Sequence, residues 1–210
     1  LLSRRQRQMC IRDRYNCPAL FCGDLFHRAE SMDQELYEIC YKEFNKLGNL
    51  NILAISGNHD IKKVSKIGMP PFSWLYLVER YGLKILDYGK TPLSLTHRDI
   101  MVYGLPYIDN NIGLSDHLKK IELDKHKKNI LLLHTDYPGA KDTDGREINS
   151  VENLNVNILN KFDLVLCGHI HKPQRLSKKV YMVGAPLQQR RTDTVSYTHL
   201  RAHETGRNLV

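Results

Sequence analysis

The chain has 210 residues, with 31 Lys+Arg against 23 Asp+Glu for a formal net charge of +8, and 41% of it is hydrophobic. That is enough for one α/β domain with a sizeable core. No apolar stretch approaches membrane-spanning length, Leu1-Leu2 runs into Ser3-Arg4-Arg5 rather than an apolar leader, and none of the five cysteines forms Cys-x-x-Cys, which argues against a helical membrane protein, a secretory leader and a zinc-thiolate module.

In chain order, residues 1–14 come first and show neither sheet nor helix periodicity. Ala19-Leu20-Phe21-Cys22 then reads as a buried strand running into Gly23-Asp24-Leu25-Phe26-His27-Arg28. Ser31-x-x-Gln34 reads as a capping box opening a helix, with Met32, Leu36, Cys40, Phe44 and Leu47 on one face and Gly48 as the stop. A second strand, Asn51 to Ser56, runs into Gly57-Asn58-His59-Asp60. Gly68-Met69-Pro70-Pro71 is a break, and Phe72 to Tyr81 is expected to be helical with Trp74, Leu75, Leu77 and Val78 inward. Leu83 to Leu86, Pro92 to Thr96 and Ile100 to Leu105 read as strands, with a hairpin turn at His97-Arg98-Asp99.

Ile112 to His126 carries the pattern of an amphipathic helix. Asn129 to Leu133 is a third buried strand and runs into His134-Thr135-Asp136. Lys141 to Arg146 reads as an exposed turn, with a substrate-side loop as the alternative, and Val151 to Asn160 is expected to be a crossover helix. Asp163 to Cys167 is a fourth buried strand, running into Gly168-His169-Ile170-His171, and Val180 to Val183 is a strand feeding Gly184. Strands alternating with helices predict parallel connections, and the middle hairpins predict antiparallel pairs, so the sum is a mixed-sheet α/β sandwich. Four strand ends thus carry Asp, Asn, His and His-x-His, which are oxygen and nitrogen ligands for a divalent metal.

This ordered set resembles the calcineurin-like metallophosphoesterases, from about Tyr15 to Thr194. The form Gly-Asp-Leu-Phe-His, and Cys167 to Gln174 followed by Gly184-Ala185-Pro186-Leu187-Gln188-Gln189, are similar to the double-strand-break repair nucleases of the SbcD type and their phage relatives. The resemblance implies a metallophosphoesterase-type mixed β-sandwich flanked by helices. It implies two divalent ions, usually manganese, with Asp24 bridging them. Asn58, His134 and His169 would hold one ion and His171 the other. His59 would act on the phosphate or the leaving oxygen, with Asp60 orienting it. His27 is open between a substrate-facing role and a solvated histidine. Asp136 reads as a capping group, and Arg190-Arg191 as a solvated pair.

The family's first motif, Asp-x-His, does not occur between Leu1 and Gly23. The domain at 15–194 is therefore expected to lack its first strand, to bind one ion and to be impaired. Residues 1–14 and 195–210 resemble translated adapter sequence and are read as non-native extensions. They hold seven arginines against Asp13 and Glu204, so the middle keeps a net charge of only +3 and charge barely supports a nucleic-acid partner. The expected activity is metal-dependent hydrolysis of DNA phosphodiesters in the cytoplasm, away from membranes, with an SMC-like ATPase as partner. Two alternatives remain: a phosphoesterase acting on nucleotides or phosphoproteins, and a catalytically inactive fragment.

Overall fold

In the computed structural model of the chain the described residues are 18–27, 34–47, 51–62, 72–77, 79–95, 98–149 and 151–185. Residues 1–14 and 195–210, the capping residue Ser31 with Met32, Gly48, the Gly68–Pro71 break, His97, Pro186 to Gln189 and Arg190-Arg191 lie outside them. The elements are β1 (Ala19–Phe21), α1 (Gln34–Leu47), β2 (Ile52–Ala54), β3 (Ile61–Lys62), β4 (Phe72–Ser73), β5 (Leu83–Ile85), β6 (Lys90–Leu95), β7 (Arg98–Leu105), α2 (Leu114–Lys120), β8 (Lys128–His134), β9 (Leu164–Gly168), β10 (Gln174–Arg175) and β11 (Val180–Met182). They form a mixed α/β sandwich.

Two sheets carry the fold. The smaller is all-parallel, in the order β1-β2-β5. The larger runs β10-β11-β9-β8-β7-β6, parallel from β11 through β7 and closed by antiparallel strands at both edges. Because side chains alternate across a strand, its buried central strands supply two cores at once. Val102, Leu132 and Leu166 point inward to meet Cys22, Leu53, Ile55 and Leu86 of the smaller sheet's side. Tyr103, Leu131, Leu133, Val165 and Cys167 point outward and are covered by Leu114 and Leu118 of α2 together with Leu159 and Phe162. On the far side of the smaller sheet, Cys40 and Phe44 of α1 pack towards Ala54, Leu75 and Leu83.

The strands lie where the apolar runs place them, while the helices are shorter. Gly113 at φ 77° delays the start of α2, and Ile121 ends it in extended backbone. Beyond it, the Asp124 N–H is taken by the Tyr103 hydroxyl and Asn129 Oδ1, which holds this segment out of helix. The expected helix at 72–81 is β4 followed by short 3-10 turns, with Leu75 buried as anticipated. The expected helix at 151–160 reduces to a 3-10 turn, Val156–Lys161, capped by the Asn155 side chain accepting from the Asn157 N–H. Arg98 and Asp99 belong to β7 rather than to a turn. Leu36, expected on the inner face of α1, is exposed, because the helix docks through Cys40 and Phe44, the latter stacked on Tyr81 at 5.8 Å.

The buried thiols behave as core groups. Burial pushes Cys22 up to about 12 and Cys167 further. Cys22 Sγ also donates to the Leu166 carbonyl. Iodoacetamide at about pH 8 is expected to alkylate half-buried Cys40 in the folded protein while sparing Cys22 and Cys167. Peptide mass mapping with and without denaturant checks this, and early labelling of Cys167 would contradict the packing described.

Candidate metal centre

The working loops leave the carboxyl ends of β1, β2, β8 and β9, as expected for an open α/β sheet. Asp24 at 63° and His169 at 94°, directly at these strand ends, sit at positive φ. Such conformations persist where the surroundings over-determine them, and they cluster at functional sites.

His134 ends β8, with its ring buried. Its Nδ1 lies 2.6 Å from the Cys22 carbonyl oxygen. A carbonyl only accepts, so Nδ1 carries the proton, and in the neutral ring the Nε2 lone pair faces the opposite way. There it meets Asn58 Oδ1 at 3.0 Å, Asp24 Oδ2 at 3.4 Å and His169 Nδ1 at 3.3 Å. His169 Nδ1 is also 3.0 Å from Asn58 Oδ1. The ligand atoms of Asp24, His134 and His169 all fall within 4.8 Å of one another. Burial works against charge on Asp24, while the His59 N–H donating to Oδ1 favours the carboxylate, and the carboxyl is held below its ordinary range. Burial holds His169 below the usual imidazole value.

Close backbone approach makes this possible. A Cβ on Gly57 would overlap Asp24 Oδ1, and a Cβ on Gly168 would overlap the Cys22 carbonyl oxygen. The converging groups are a carboxylate, an amide oxygen and two imidazoles, whose lone pairs repel unless a cation lies among them. This donor set fits a divalent ion such as Mn²⁺, Fe²⁺ or Zn²⁺. His171 sits half-buried on the same loop, outside the group whose ligand atoms converge, and its carbonyl accepts from the Ala185 N–H.

The expected role of Asp60 needs correction. Its buried carboxylate accepts from the backbone N–H groups of Asp24 at 2.7 Å, Phe26 at 3.0 Å and Gly57 at 2.9 Å. Both oxygens are therefore committed to main chain. Burial pushes the carboxyl up to about 6, with the N–H donors of Phe26 and Gly57 pulling the other way. The His59 ring is oriented instead by its Nδ1–H donating to the His27 carbonyl at 2.7 Å, and it stacks on the His27 ring with centroids 5.7 Å apart and planes 9° off parallel. His27 thus enters the site through its carbonyl and its ring face.

Two residues stand closer to the site than their sequence positions suggest. Asp136 lies 3.5 Å from His169 Nε2. Tyr107 stacks on His169 at 6.3 Å and meets His134 edge-on at 6.2 Å. The available signal was position: Tyr107 follows β7 at the same sheet end as His134, and Asp136 is two residues beyond that histidine. His117 and His126 are exposed, and Lys141 to Arg146 is a turn organised by Asp142.

Removing Asp60 with Asp60→Ala strands three N–H groups and is expected to cost about 3 kcal/mol. Urea denaturation measures this, and a loss well below 1 kcal/mol would contradict a load on that carboxylate. Gly168→Ala displaces the carbonyl that orients His134, so Mn²⁺ affinity is expected to fall at least tenfold, as read by isothermal titration.

Residues 11–173 match the calcineurin-like phosphoesterase family. The chain is similar to the SbcD component of the SbcCD nuclease of Staphylococcus epidermidis, at 28% identity over 176 residues, covering 73% of this chain and 46% of that protein. The chain therefore spans about half the length of that relative. Among solved structures it is similar to a Staphylococcus aureus protein assigned as a 5'-nucleotidase, at 15% identity and a TM-score of 0.43, covering 70% of this chain and 36% of that one. The matched region takes in Asp24, Asn58, His134, His169 and His171, and the chain belongs to the calcineurin-like phosphoesterase family, whose members bind divalent metals.

Proposed function

We propose that this chain is the phosphoesterase part of a metal-dependent DNA nuclease of the double-strand-break repair type. The observation that carries the reading is the convergence of Asp24 Oδ2, Asn58 Oδ1, His134 Nε2 and His169 Nδ1 on one centre. The match to a subunit of the SbcCD nuclease supports the nuclease reading, and DNA as substrate, an SMC-like ATPase as partner and a cytoplasmic location belong to the same proposal. No helix among the described residues is long and apolar enough to cross a membrane.

Those four residues would hold one ion, for which manganese is the proposed metal. Asp24 would be shared with a second, on which His171 and an Asp-x-His pair act. When bound, such ions polarise a phosphate and lower the pKa of a water. Asp24 and Asn58 supply the oxygen ligands that fix the centre, and His134 and His169 present neutral nitrogens to it. His59, with Nδ1–H committed to the His27 carbonyl, leaves Nε2 free to hold a proton at the leaving oxygen. Asp60 keeps the two loops in register beneath these groups.

The 210-residue chain is expected to bind one Mn²⁺ by elemental analysis and to cleave DNA poorly. Extension with a strand ending in Asp-x-His is expected to add a second ion and Mn²⁺-dependent digestion of DNA ends. In the extended protein His59→Ala should keep both ions and lose roughly a hundredfold or more in rate. In the extended protein, hydrolysis of nucleotides or phosphopeptides without cleavage of DNA would overturn the nuclease reading.

A further inference from the structure

We propose that Asp136 and Tyr107 are positioning residues that fix the tautomer and ring plane of His169, turning its Nδ1 lone pair into the metal centre. The inference rests on the reading that Asp24, Asn58, His134 and His169 hold a divalent ion. A neutral imidazole has one lone pair, and which nitrogen carries it is set by the partner of the other. His134 solves this with a main-chain carbonyl at Nδ1, leaving Nε2 inward. His169 uses the opposite nitrogens: Nδ1 faces Asn58 Oδ1 at 3.0 Å, and Nε2 faces Asp136 Oδ1 at 3.5 Å. That contact is long for a hydrogen bond. It nevertheless sets an anion beside Nε2, which favours the proton there and makes Nδ1 the more basic ligand.

The ring plane has its own constraint. Tyr107 lies nearly parallel to His169, 26° between planes, and nearly perpendicular to His134 at 83°, so one phenol ring fits against both imidazoles. His169 needs such support because its backbone is strained at φ 94° and its side chain is only partly enclosed. The Asp136 side chain is 44% exposed and makes no core contact among those described, so its loss should leave the fold intact.

The test uses metal-free protein with ¹⁵N-labelled histidine, at a pH where the rings are neutral, and separately Mn²⁺ alone as the binding probe. Wild type is expected to show His169 protonated at Nε2. Asp136→Ala is expected to give a mixture of tautomers and to weaken Mn²⁺ binding ten- to a hundredfold, with thermal unfolding unchanged. Asp136→Asn, which keeps the shape but loses the anion, should behave as Asp136→Ala, whereas Asp136→Glu, which keeps the anion, should restore the Nε2–H tautomer. Tyr107→Leu should broaden the His169 signals and weaken binding, whereas Tyr107→Phe should behave as wild type. An unchanged tautomer and unchanged affinity in Asp136→Ala would overturn the inference while leaving the metal centre standing. Absence of Mn²⁺ binding by wild type would reject the metal reading instead, and the tautomer measurement would still decide whether Asp136 sets the proton on His169.

Discussion

The site depends on one buried carboxylate. Asp60 belongs to the loop after β2, yet two of its three hydrogen bonds reach the loop after β1, to Asp24 and Phe26, and the third returns to Gly57. A carboxylate can satisfy several N–H groups at once, which a serine or an amide in its place cannot do as fully. Both loops are thereby fixed relative to each other before any cation arrives. The His59 N–H donating to Asp24 Oδ1 adds a second tie across the same gap. With Asp24 so placed, only its other oxygen is left to face His134.

The metal residues are rigid for different physical reasons. His134 is held by burial at a strand end and by the Cys22 carbonyl, so the strands of two sheets set its orientation together. Asn58 and Asp24 are held by turns that only glycine neighbours permit. His169 sits on a strained residue of a more open loop and takes its support from side chains, Asp136 and Tyr107. A centre assembled from four strand ends therefore combines rigid members with one that is steered.

The strands were legible because continuous apolar runs such as Leu131 to Leu133 have no other use in a chain this polar. Asp24, Asn58, His134 and His169 were legible because their motifs follow such runs. The helices were harder to read. The pattern over Ile112 to His126 is helical in period, but Gly113 and the demand of Tyr103 and Asn129 for the Asp124 backbone cut it to seven residues. The role of Asp60 was invisible because its partners are backbone N–H groups, which leave no mark in side-chain identity. Tyr107 and Asp136 were obscured for a related reason: their partner, His169, is more than thirty residues away, and only the folded sheet brings them together.

The alternation within β8 has a consequence for how this protein can change over time. Ile130 and Leu132 face one core, Leu131 and Leu133 face the other, and His134 closes the same row as Leu132. Inserting or deleting a single residue there would invert both cores and carry the histidine to the opposite face in the same event. Sequence length in β8 is thus locked by packing alone, independent of any selection for chemistry. The Asp142-centred turn, whose hydrogen bonds are local, is where lineages of this domain are free to lengthen and diverge.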